Sequence, residues 1–237
     1  MPRPMHGALC VGLYSSASTW LYNLLSLLLA EHALRYKKSL TSLYADDMNQ
    51  LGLRSLVNED AFVIKSHRPS DRLIRLTQSL SVPMFLTLRE PRDAVTSLMD
   101  RFGTSFEQTL ADVAASASRL RLLAQHPDSM CLRFEDRFFS RSAVVSNIAA
   151  RLALDTPSDI RKQIERSVSR SAITLQIAQA DRRGAFKTVG DAEEMLTQWH
   201  RDHVGDGRSG KWPRRLSASQ AATVRAATAS YRRMFGY

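Results

Sequence analysis

The residues best suited to chemistry in this chain begin with a hydroxyl-rich turn near the amino terminus. Cys10 to Tyr14 predicts a short buried strand, and from about Ser18 the apolar spacing becomes that of a helix. A strand that turns directly into a helix points free amide groups and the positive end of the helix dipole at the turn. The segment therefore predicts a seat for a phosphate or sulfate group. Serines that cap the helix in the ordinary way are the alternative interpretation.

Three more groups of polar side chains each follow a predicted strand. The predicted strands span 61–65, 82–88 and 130–134, and the polar groups begin at Lys65, Arg89 and Glu135. Pro69 turns the chain after the first of these strands. Pro91 suits the first turn of a helix that continues to Phe102.

The elements that must position these groups alternate between strand and helix. Helices are predicted at about 18–30, 71–79, 91–102, 106–125, 143–152, 158–178, 192–200 and 218–235, and residues 35–56 are expected to form a helix with loops. The alternation predicts one α/β domain, residues 1–237, with a central and mostly parallel sheet flanked by helices and a helix-rich carboxyl-terminal half. Because ligands bind at the carboxyl ends of parallel strands, the polar groups are expected at one edge of the sheet. Gly205 to Pro213 predicts a flexible basic loop.

Composition limits the classes of function. A length of 237 residues with 44% apolar residues is typical of one globular domain. The net charge of +10 favours a polyanion, a nucleotide or an acidic substrate as ligand. No aromatic-interleaved basic stripe or nucleic-acid motif accompanies the charge, so nucleic acid is not expected as a partner. A Walker-type phosphate loop is excluded, because Gly-x-x-x-x-Gly-Lys-[Ser/Thr] is absent from the sequence.

Location and cysteine chemistry follow from the same inspection. The longest apolar run, around residues 24–30, is far shorter than the roughly 20 residues that cross a bilayer. The sequence shows no signal-peptide pattern, and a cytoplasmic protein is expected. Cys10 and Cys131 both fall in predicted strands, which predicts two buried free thiols. No cluster of His, Cys and Asp has the spacing of metal ligands, so no metal site is expected.

Taken together, the polar segments resemble those of the sulfotransferases that use 3′-phosphoadenosine-5′-phosphosulfate (PAPS) and release adenosine 3′,5′-bisphosphate (PAP). The matching segments are YSSASTWL at 14–21, KSHRP at 65–69, REPRDAVTS at 89–97 and GRSGKW at 207–212. They are similar, in that order, to the family's 5′-phosphosulfate loop, its catalytic-base segment, its 3′-phosphate motif and its last cofactor loop. The resemblance spans nearly the whole chain and implies the P-loop-NTPase-like sulfotransferase fold.

The resemblance implies a cofactor site for PAPS. Its predicted members are Ser15, Ser16, Ala17, Ser18, Thr19, Trp20, Arg89, Ser97, Phe134, Gly207, Arg208, Ser209, Gly210 and Lys211. In this interpretation the first turn binds the 5′-phosphosulfate, and Arg89 with Ser97 binds the 3′-phosphate. Trp20 packs against adenine, unless it is a simple core residue. For Arg89 the alternative is an ion pair with Glu90 or Asp93.

The catalytic residues implied by the resemblance are His67 and Lys65. His67 is predicted to act as the general base that removes the acceptor's proton, a task suited to an imidazole. Lys65 is predicted to neutralise the charge on the transferring group and the leaving phosphate. The alternatives are a structural histidine and a surface lysine at a strand end.

The sequence departs from the family's pattern in its first and last loops. Ser15 stands where the family has a Lys or Arg that assists the leaving group, and Ala17 replaces a glycine. Gly205 and Asp206 replace a basic pair. The residues predicted to supply the missing charge are Arg208, Lys211, Arg214 or Arg215.

Two other classes of function stay open at this stage. The first is a relative that binds PAPS or PAP without transferring sulfate, which the serine at position 15 favours. The second is a basic polyanion- or nucleic-acid-binding protein with accidental motifs. For an enzyme, the acceptor is expected to be a small molecule, glycan or glycolipid. The basic residues at 35–56 and 182–190 favour an anionic acceptor.

Overall fold

Five short strands pair into one parallel sheet in the computed structural model, which describes residues 6–50, 60–186, 196–200 and 204–237. The strands are β1 (His6–Gly12), β2 (Leu40–Tyr44), β3 (Ala61–Ser66), β4 (Met84–Leu88) and β5 (Ser129–Arg133). Their order across the sheet is β2-β3-β1-β4-β5. The register pairs Val11 with Ser66 and Gly12 with Thr87. The carboxyl ends of the three central strands therefore lie side by side.

Helices cover both faces of this sheet. The described helices are α1 (Ser18–Arg35), α2 (Asp71–Ser79), α3 (Pro91–Phe102), α4 (Phe106–Leu123), α5 (Ser142–Arg151), α6 (Ser158–Ser167), α7 (Arg170–Arg182), α8 (Ala218–Ala227) and α9 (Ala229–Phe235). Short 3₁₀ turns occur at Met48–Gln50, Phe134–Asp136, Phe138–Ser140 and Trp212–Arg214. Within the described residues, no helix is both long and apolar enough to span a membrane.

The core has two halves because successive strand residues face opposite sides of the sheet. On β1, Leu9 and Val11 belong to the half that packs against α2, α3, α4, α8 and α9. Ala8 and Cys10 belong to the half that packs against α1, α5, α6 and α7. Each half is dominated by aliphatic side chains with almost no exposed surface.

The expected α/β architecture with a parallel sheet and a helix-rich carboxyl-terminal half is confirmed, with differences in its elements. Strand β2 lies within the stretch predicted as a helix with loops. It is an edge strand whose residues are all half-buried, so it lacks the apolar run that marks a buried strand. The predicted helix 158–178 is two helices, since Ser169 caps a new one. The last helix likewise divides at Thr228. Of the predicted helix 192–200, residues 192–195 lie outside the described residues, residues 196–197 are helical and residues 198–200 are not.

The two cysteines are free, but only one is buried. Cys10 lies in the centre of the sheet with no exposed surface, as predicted. Cys131 is exposed, which corrects the prediction of a buried thiol. The reason is its position on β5, an edge strand that is covered less completely than the central strands.

Gly12 marks the point where β1, α1 and β4 come closest. A Cβ atom placed on Gly12 would lie 2.4 Å from Cβ of Ser18 and 2.4 Å from Oγ1 of Thr87. The carbonyl of Gly12 also accepts a hydrogen bond from Ser116 Oγ at 3.1 Å. Only glycine therefore permits this packing of the first turn against the sheet.

We expect Gly12→Ala to lower the free energy of unfolding by about 1–3 kcal/mol, because the added methyl group forces the strand end and the helix start apart. Chemical denaturation measures the change. Gly205→Ala is the matched control, since a Cβ at Gly205 meets no heavy atom within 4 Å. Equal stability of the two variants would contradict the close approach.

Candidate functional site

A cavity of about 870 Å³ opens at the carboxyl edge of the sheet. Its wall collects most of the site residues predicted from the sequence, namely Ser15, Ala17, Ser18, Thr19, Trp20, Lys65, His67, Arg89, Ser97, Phe134, Gly207, Arg208 and Lys211. Three predicted site residues do not line the described wall, namely Ser16, Ser209 and Gly210. With Tyr44, the last residue of β2, all five strand ends and the last loop contribute to one cavity, as expected for a parallel sheet.

The first turn leaves the positive end of α1 uncapped. Ser15 and Ala17 adopt left-handed backbone conformations, with φ of 58° and 65°. Ala17 is the N-cap residue, makes no side-chain capping hydrogen bond, and no acidic residue stands in the first turn of α1. The first amides of a helix have no partners within the helix. The alternative of ordinary serine caps is therefore not what the structure contains.

Ser16 connects the first turn to the sheet beneath it. Its hydroxyl lies 2.5 Å from the carbonyl of Leu13 and 2.6 Å from Oγ1 of Thr87 on β4. The side chain is fully buried. It links the turn to the neighbouring strand, and its predicted contact with a cofactor stays a prediction.

Lys65, on β3, contacts the start of α1 and is nearly inaccessible to solvent. Its Nζ donates a hydrogen bond to Thr19 Oγ1 at 2.8 Å, and the residue is 5% exposed. Burial lowers the pKa of Lys65 to about 8, and the positive charge of Arg101 acts in the same direction. The alternative of a surface lysine at a strand end is therefore wrong.

His67 is oriented by a backbone carbonyl. Its Nδ1 lies 2.7 Å from the oxygen of Gly12, and its ring stacks on Tyr14 with centroids 4.2 Å apart. Because a carbonyl only accepts hydrogen bonds, Nδ1 carries the proton and Nε2 of the neutral ring has a lone pair. Desolvation, followed by the charge of Lys65, holds the pKa of His67 well below its usual range. The imidazole is thus neutral at pH 7, with Nε2 unprotonated.

Asp46 positions the segment that carries His67. Its Oδ1 accepts hydrogen bonds from Ser66 Oγ at 2.5 Å, from the amide of His67 at 3.0 Å and from the amide of Arg68 at 2.9 Å. Burial opposes ionisation, but these hydrogen bonds leave the pKa of Asp46 below its usual value. Asp46 has no sequence signal, since it lies in the stretch 35–56 without a motif.

Arg89 joins the first and last loops. Its Nη1 donates to the carbonyl of Ser15 at 2.6 Å, and Nη2 donates to the carbonyl of Arg208 at 3.2 Å. The guanidinium lies over the ring of Phe134, 4.1 Å from its centroid. The hydroxyl of Tyr231 on α9 lies 3.2 Å from both the backbone nitrogen and the carbonyl oxygen of Arg89. Tyr231 is a second positioning residue without a sequence signal.

The alternative ion pairs of Arg89 are not formed. Glu90 Oε1 instead lies 2.7 Å from Nε of Arg92. The carboxylate of Asp93 accepts hydrogen bonds from the backbone amides of residues 210–212. Both candidate acids are therefore occupied elsewhere.

The last loop, residues 204–211, is attached to the cavity at several points. Asp93 is 2% exposed and binds the three amides of residues 210–212 at 2.5, 2.8 and 3.1 Å. Arg170, the first residue of α7, donates to the carbonyl of Gly205 at 2.7 Å. These contacts hold the loop over the cavity, so Asp93 has a structural role that the motif did not reveal.

Of the four cations predicted to replace the missing charge at Ser15, two are committed elsewhere. Lys211 forms an ion pair with Asp206 on its own loop. Arg215 pairs with Asp100 at 2.5 Å. Arg208 lines the cavity, and Arg214 lies in an exposed part of the 3₁₀ turn after it.

Arg101 lines the cavity and was not among those predicted cations. Its Nη2 lies 2.8 Å from Oγ of Ser15. Arg101 is the last-turn basic residue of α3. Nothing in its immediate sequence marks it as a partner of the first turn.

We expect Asp93→Asn to lower the free energy of unfolding by about 1 kcal/mol, because an amide group leaves at least one of the three partly buried backbone donors without an acceptor. Hydrogen exchange is expected to quicken at residues 210–212. Asp159→Asn is the matched control, since Asp159 also stands in the first turn of a helix but is exposed. Unchanged exchange at residues 210–212 would contradict the role of Asp93.

The chain as a whole is similar to solved structures of sulfotransferases. Mouse sulfotransferase SULT7A1 complexed with PAP has a TM-score of 0.68 at 13% identity, over 98% of this chain and 84% of that one. A retinol dehydratase in complex with androsterone and the inactive cofactor PAP has a TM-score of 0.62 at 14% identity, over 98% and 82%. A retinol dehydratase in complex with retinol and PAP gives 0.60 at 12% identity, over 98% and 82%. No protein-family model and no curated protein matches the chain. The chain has the sulfotransferase fold.

Proposed function

We propose that the protein is a sulfotransferase that moves a sulfuryl group from PAPS to a hydroxyl or amine acceptor by in-line attack. The observation that carries the proposal is the 2.6 Å hydrogen bond between Arg89 Nη1 and the carbonyl of Ser15. It brings together the sites predicted for the two anionic ends of one nucleotide. The similar solved structures hold PAP, which supports the same cofactor here.

The described residues of the cavity fit a ligand of high negative charge. Lys65, Arg89 and Arg101 face it together with the uncapped end of α1. The Nε of Arg89 is buried and has no hydrogen-bond partner within the described protein. A buried donor without an acceptor is costly, so a ligand oxygen at this position would be favourable. The cavity volume is also within the range of nucleotide and cofactor sites.

The proposed cofactor contacts follow the two ends of the cavity. The amides and hydroxyls of Ser18 and Thr19 would hold the 5′-phosphosulfate together with Lys65. Arg89 and Ser97 would hold the 3′-phosphate. Trp20 would pack against adenine, since its ring lines the cavity while its Nε1 is anchored to the carbonyl of Val168 at 2.8 Å.

In the proposed mechanism, His67 accepts the acceptor's proton at Nε2. The carbonyl of Gly12 holds the ring by Nδ1, and Asp46 holds the backbone on either side of it. Bound PAPS would supply the sulfuryl group and leave as PAP. Lys65 and the amides of α1 would stabilise the negative charge that grows on the leaving phosphate.

The acceptor would enter beside His67. Tyr14 stacks on the imidazole, and the ring of Tyr44 lies 6.1 Å from it. These aromatic walls favour a small molecule with an apolar or planar body. The two retinol dehydratase structures contain androsterone and retinol, which are small molecules of this kind. A preference for an anionic acceptor stays a prediction.

We expect His67→Ala to reduce sulfate transfer by roughly 10²- to 10⁴-fold while leaving the affinity for PAP nearly unchanged, since a general base contributes to proton transfer and not to nucleotide binding. Labelled PAPS with a mixed acceptor panel measures transfer, and calorimetry measures binding. His126→Ala is the control, because His126 lies outside the cavity wall. Undiminished transfer in His67→Ala would refute the base assignment, whereas a wild-type protein that does not bind PAP would refute the proposed function.

The lowered pKa of Lys65 predicts that the affinity for PAP falls at alkaline pH. Because its pKa is lowered to about 8, the ammonium group loses its proton as pH rises above that value. Affinity for PAP is expected to fall by up to about tenfold per pH unit above pH 8, and to be flat from 7 to 7.5. The neighbouring Cys10 thiol does not titrate there, since burial raises its pKa to about 12. Asp46, the acid acting on Lys65, stays ionised in this range because hydrogen bonds hold its pKa below its usual value, and a guanidinium such as that of Arg101 does not lose its proton.

Calorimetry between pH 7 and 9.5 measures this dependence. Lys65→Arg is the comparison, because a guanidinium stays charged at these pH values and removes the alkaline loss. Equal affinity of the wild-type protein at pH 7 and 9.5 would show that the Lys65 charge does not contribute to binding.

A further inference from the structure

Two arginines of different elements meet at Ser15. Arg89, which follows β4, donates to the carbonyl of Ser15, and Arg101, at the end of α3, contacts its hydroxyl at 2.8 Å. Ser15 also has a left-handed backbone, with φ of 58°. Both guanidinium groups therefore lie against the turn that precedes α1.

The positive charge of Arg101 acts on the proposed catalytic residues. It lowers the pKa of Lys65 and also that of His67, as a like charge nearby must. Asp46 opposes both shifts, but Lys65, Arg89 and Arg101 all line the cavity, and Coulomb attraction to these cations favours an anionic ligand. The arrangement is therefore suited to a ligand that brings its charge to this end of the cavity.

The carboxylates on the same helix are directed elsewhere. Asp93 binds backbone amides of the last loop, and Asp100 pairs with Arg215 at 2.5 Å. Both carboxylates line the cavity, but its described wall carries seven Lys and Arg side chains against three Asp side chains, so an excess of positive charge remains. This excess is what an anionic group seated at the start of α1 would meet.

We propose that Arg101 binds the 5′-phosphosulfate end of PAPS and stabilises its leaving phosphate, a deduction that rests on the proposed function. A guanidinium has five N–H donors in a planar fork, so its bond to Ser15 is compatible with contacts to phosphate oxygens. As the acceptor's oxygen bonds to sulfur, the bond between sulfur and the bridging oxygen breaks and its electron pair stays on the phosphate. The acceptor's proton passes to Nε2 of His67. Arg101 thus supplies from a helix the charge that Ser15 lacks.

The test compares three nucleotides that differ in their phosphates. PAP carries both, adenosine 3′-monophosphate lacks the 5′-phosphate, and adenosine 5′-monophosphate lacks the 3′-phosphate. Arg101→Gln is expected to lower the affinity for PAP and for the 5′-monophosphate by roughly 10- to 100-fold. It is expected to lower the affinity for the 3′-monophosphate by less than about threefold. Arg89→Gln is the matched comparison, and its largest losses of affinity are expected for PAP and the 3′-monophosphate. Calorimetry measures all nine affinities.

A second variant separates lost charge from lost structure. Ser15→Lys in the Arg101→Gln protein restores a cation at the turn, and we expect it to recover at least tenfold of the lost PAP affinity together with part of the transfer rate. Thermal denaturation confirms that each variant is folded before its affinities are compared.

The outcomes that overturn the proposal are distinct from failure of the proposed function. An Arg101→Gln protein that binds PAP like wild type, or one that loses affinity for PAP and the 3′-monophosphate equally, overturns the role of Arg101 while PAP binding by the wild-type protein stands. A wild-type protein that binds none of the three nucleotides overturns the proposed function and the role of Arg101 with it.

Discussion

The site depends on a buried arginine that is held by neutral groups. Arg89 is 5% exposed, and its guanidinium is bonded to the carbonyls of Ser15 and Arg208 and lies over the ring of Phe134. Within the described chain no carboxylate forms an ion pair with it. Burial lowers its pKa, and the negative charges of Asp93, Glu135 and Asp206 oppose that shift without direct contact. A buried charge held in this way is expensive for the protein and attractive to an anion. It also joins two loops that are far apart in the sequence.

The buried carboxylates around the cavity extend the same arrangement. Asp46 and Asp93 reduce the positive field of the neighbouring cations, and each also accepts hydrogen bonds from backbone amides. Each therefore shapes a loop, one carrying His67 and the other closing over the cavity. The negative charges position the site while the excess of positive charge stays available to a ligand. The uncharged carbonyl of Gly12 likewise positions the imidazole of His67, by accepting a hydrogen bond from its Nδ1.

Much of the fold could be predicted because the buried strands are short apolar runs separated by helices of clear period. Parallel pairing then required the polar groups to converge at the carboxyl edge, and the cavity contains residues from each. The errors occurred where burial is partial. Strand β2 has no fully buried residue, and Cys131 lies on an edge strand. The local sequence therefore did not indicate correctly how buried either of them is.

The sequence by itself determined the α/β class, the four strand-end clusters and the placement of Lys65 and His67 at the same strand end, because these follow from local spacing. Only the tertiary structure decided which distant residue completes each cluster. Arg101 reaches Ser15 across 86 residues and Tyr231 reaches Arg89 across 142. The physical reason is that such contacts depend on how helices are oriented against the sheet, which sums many weak packing interactions over the whole chain. The local sequence therefore carries no signal for either of these two contacts.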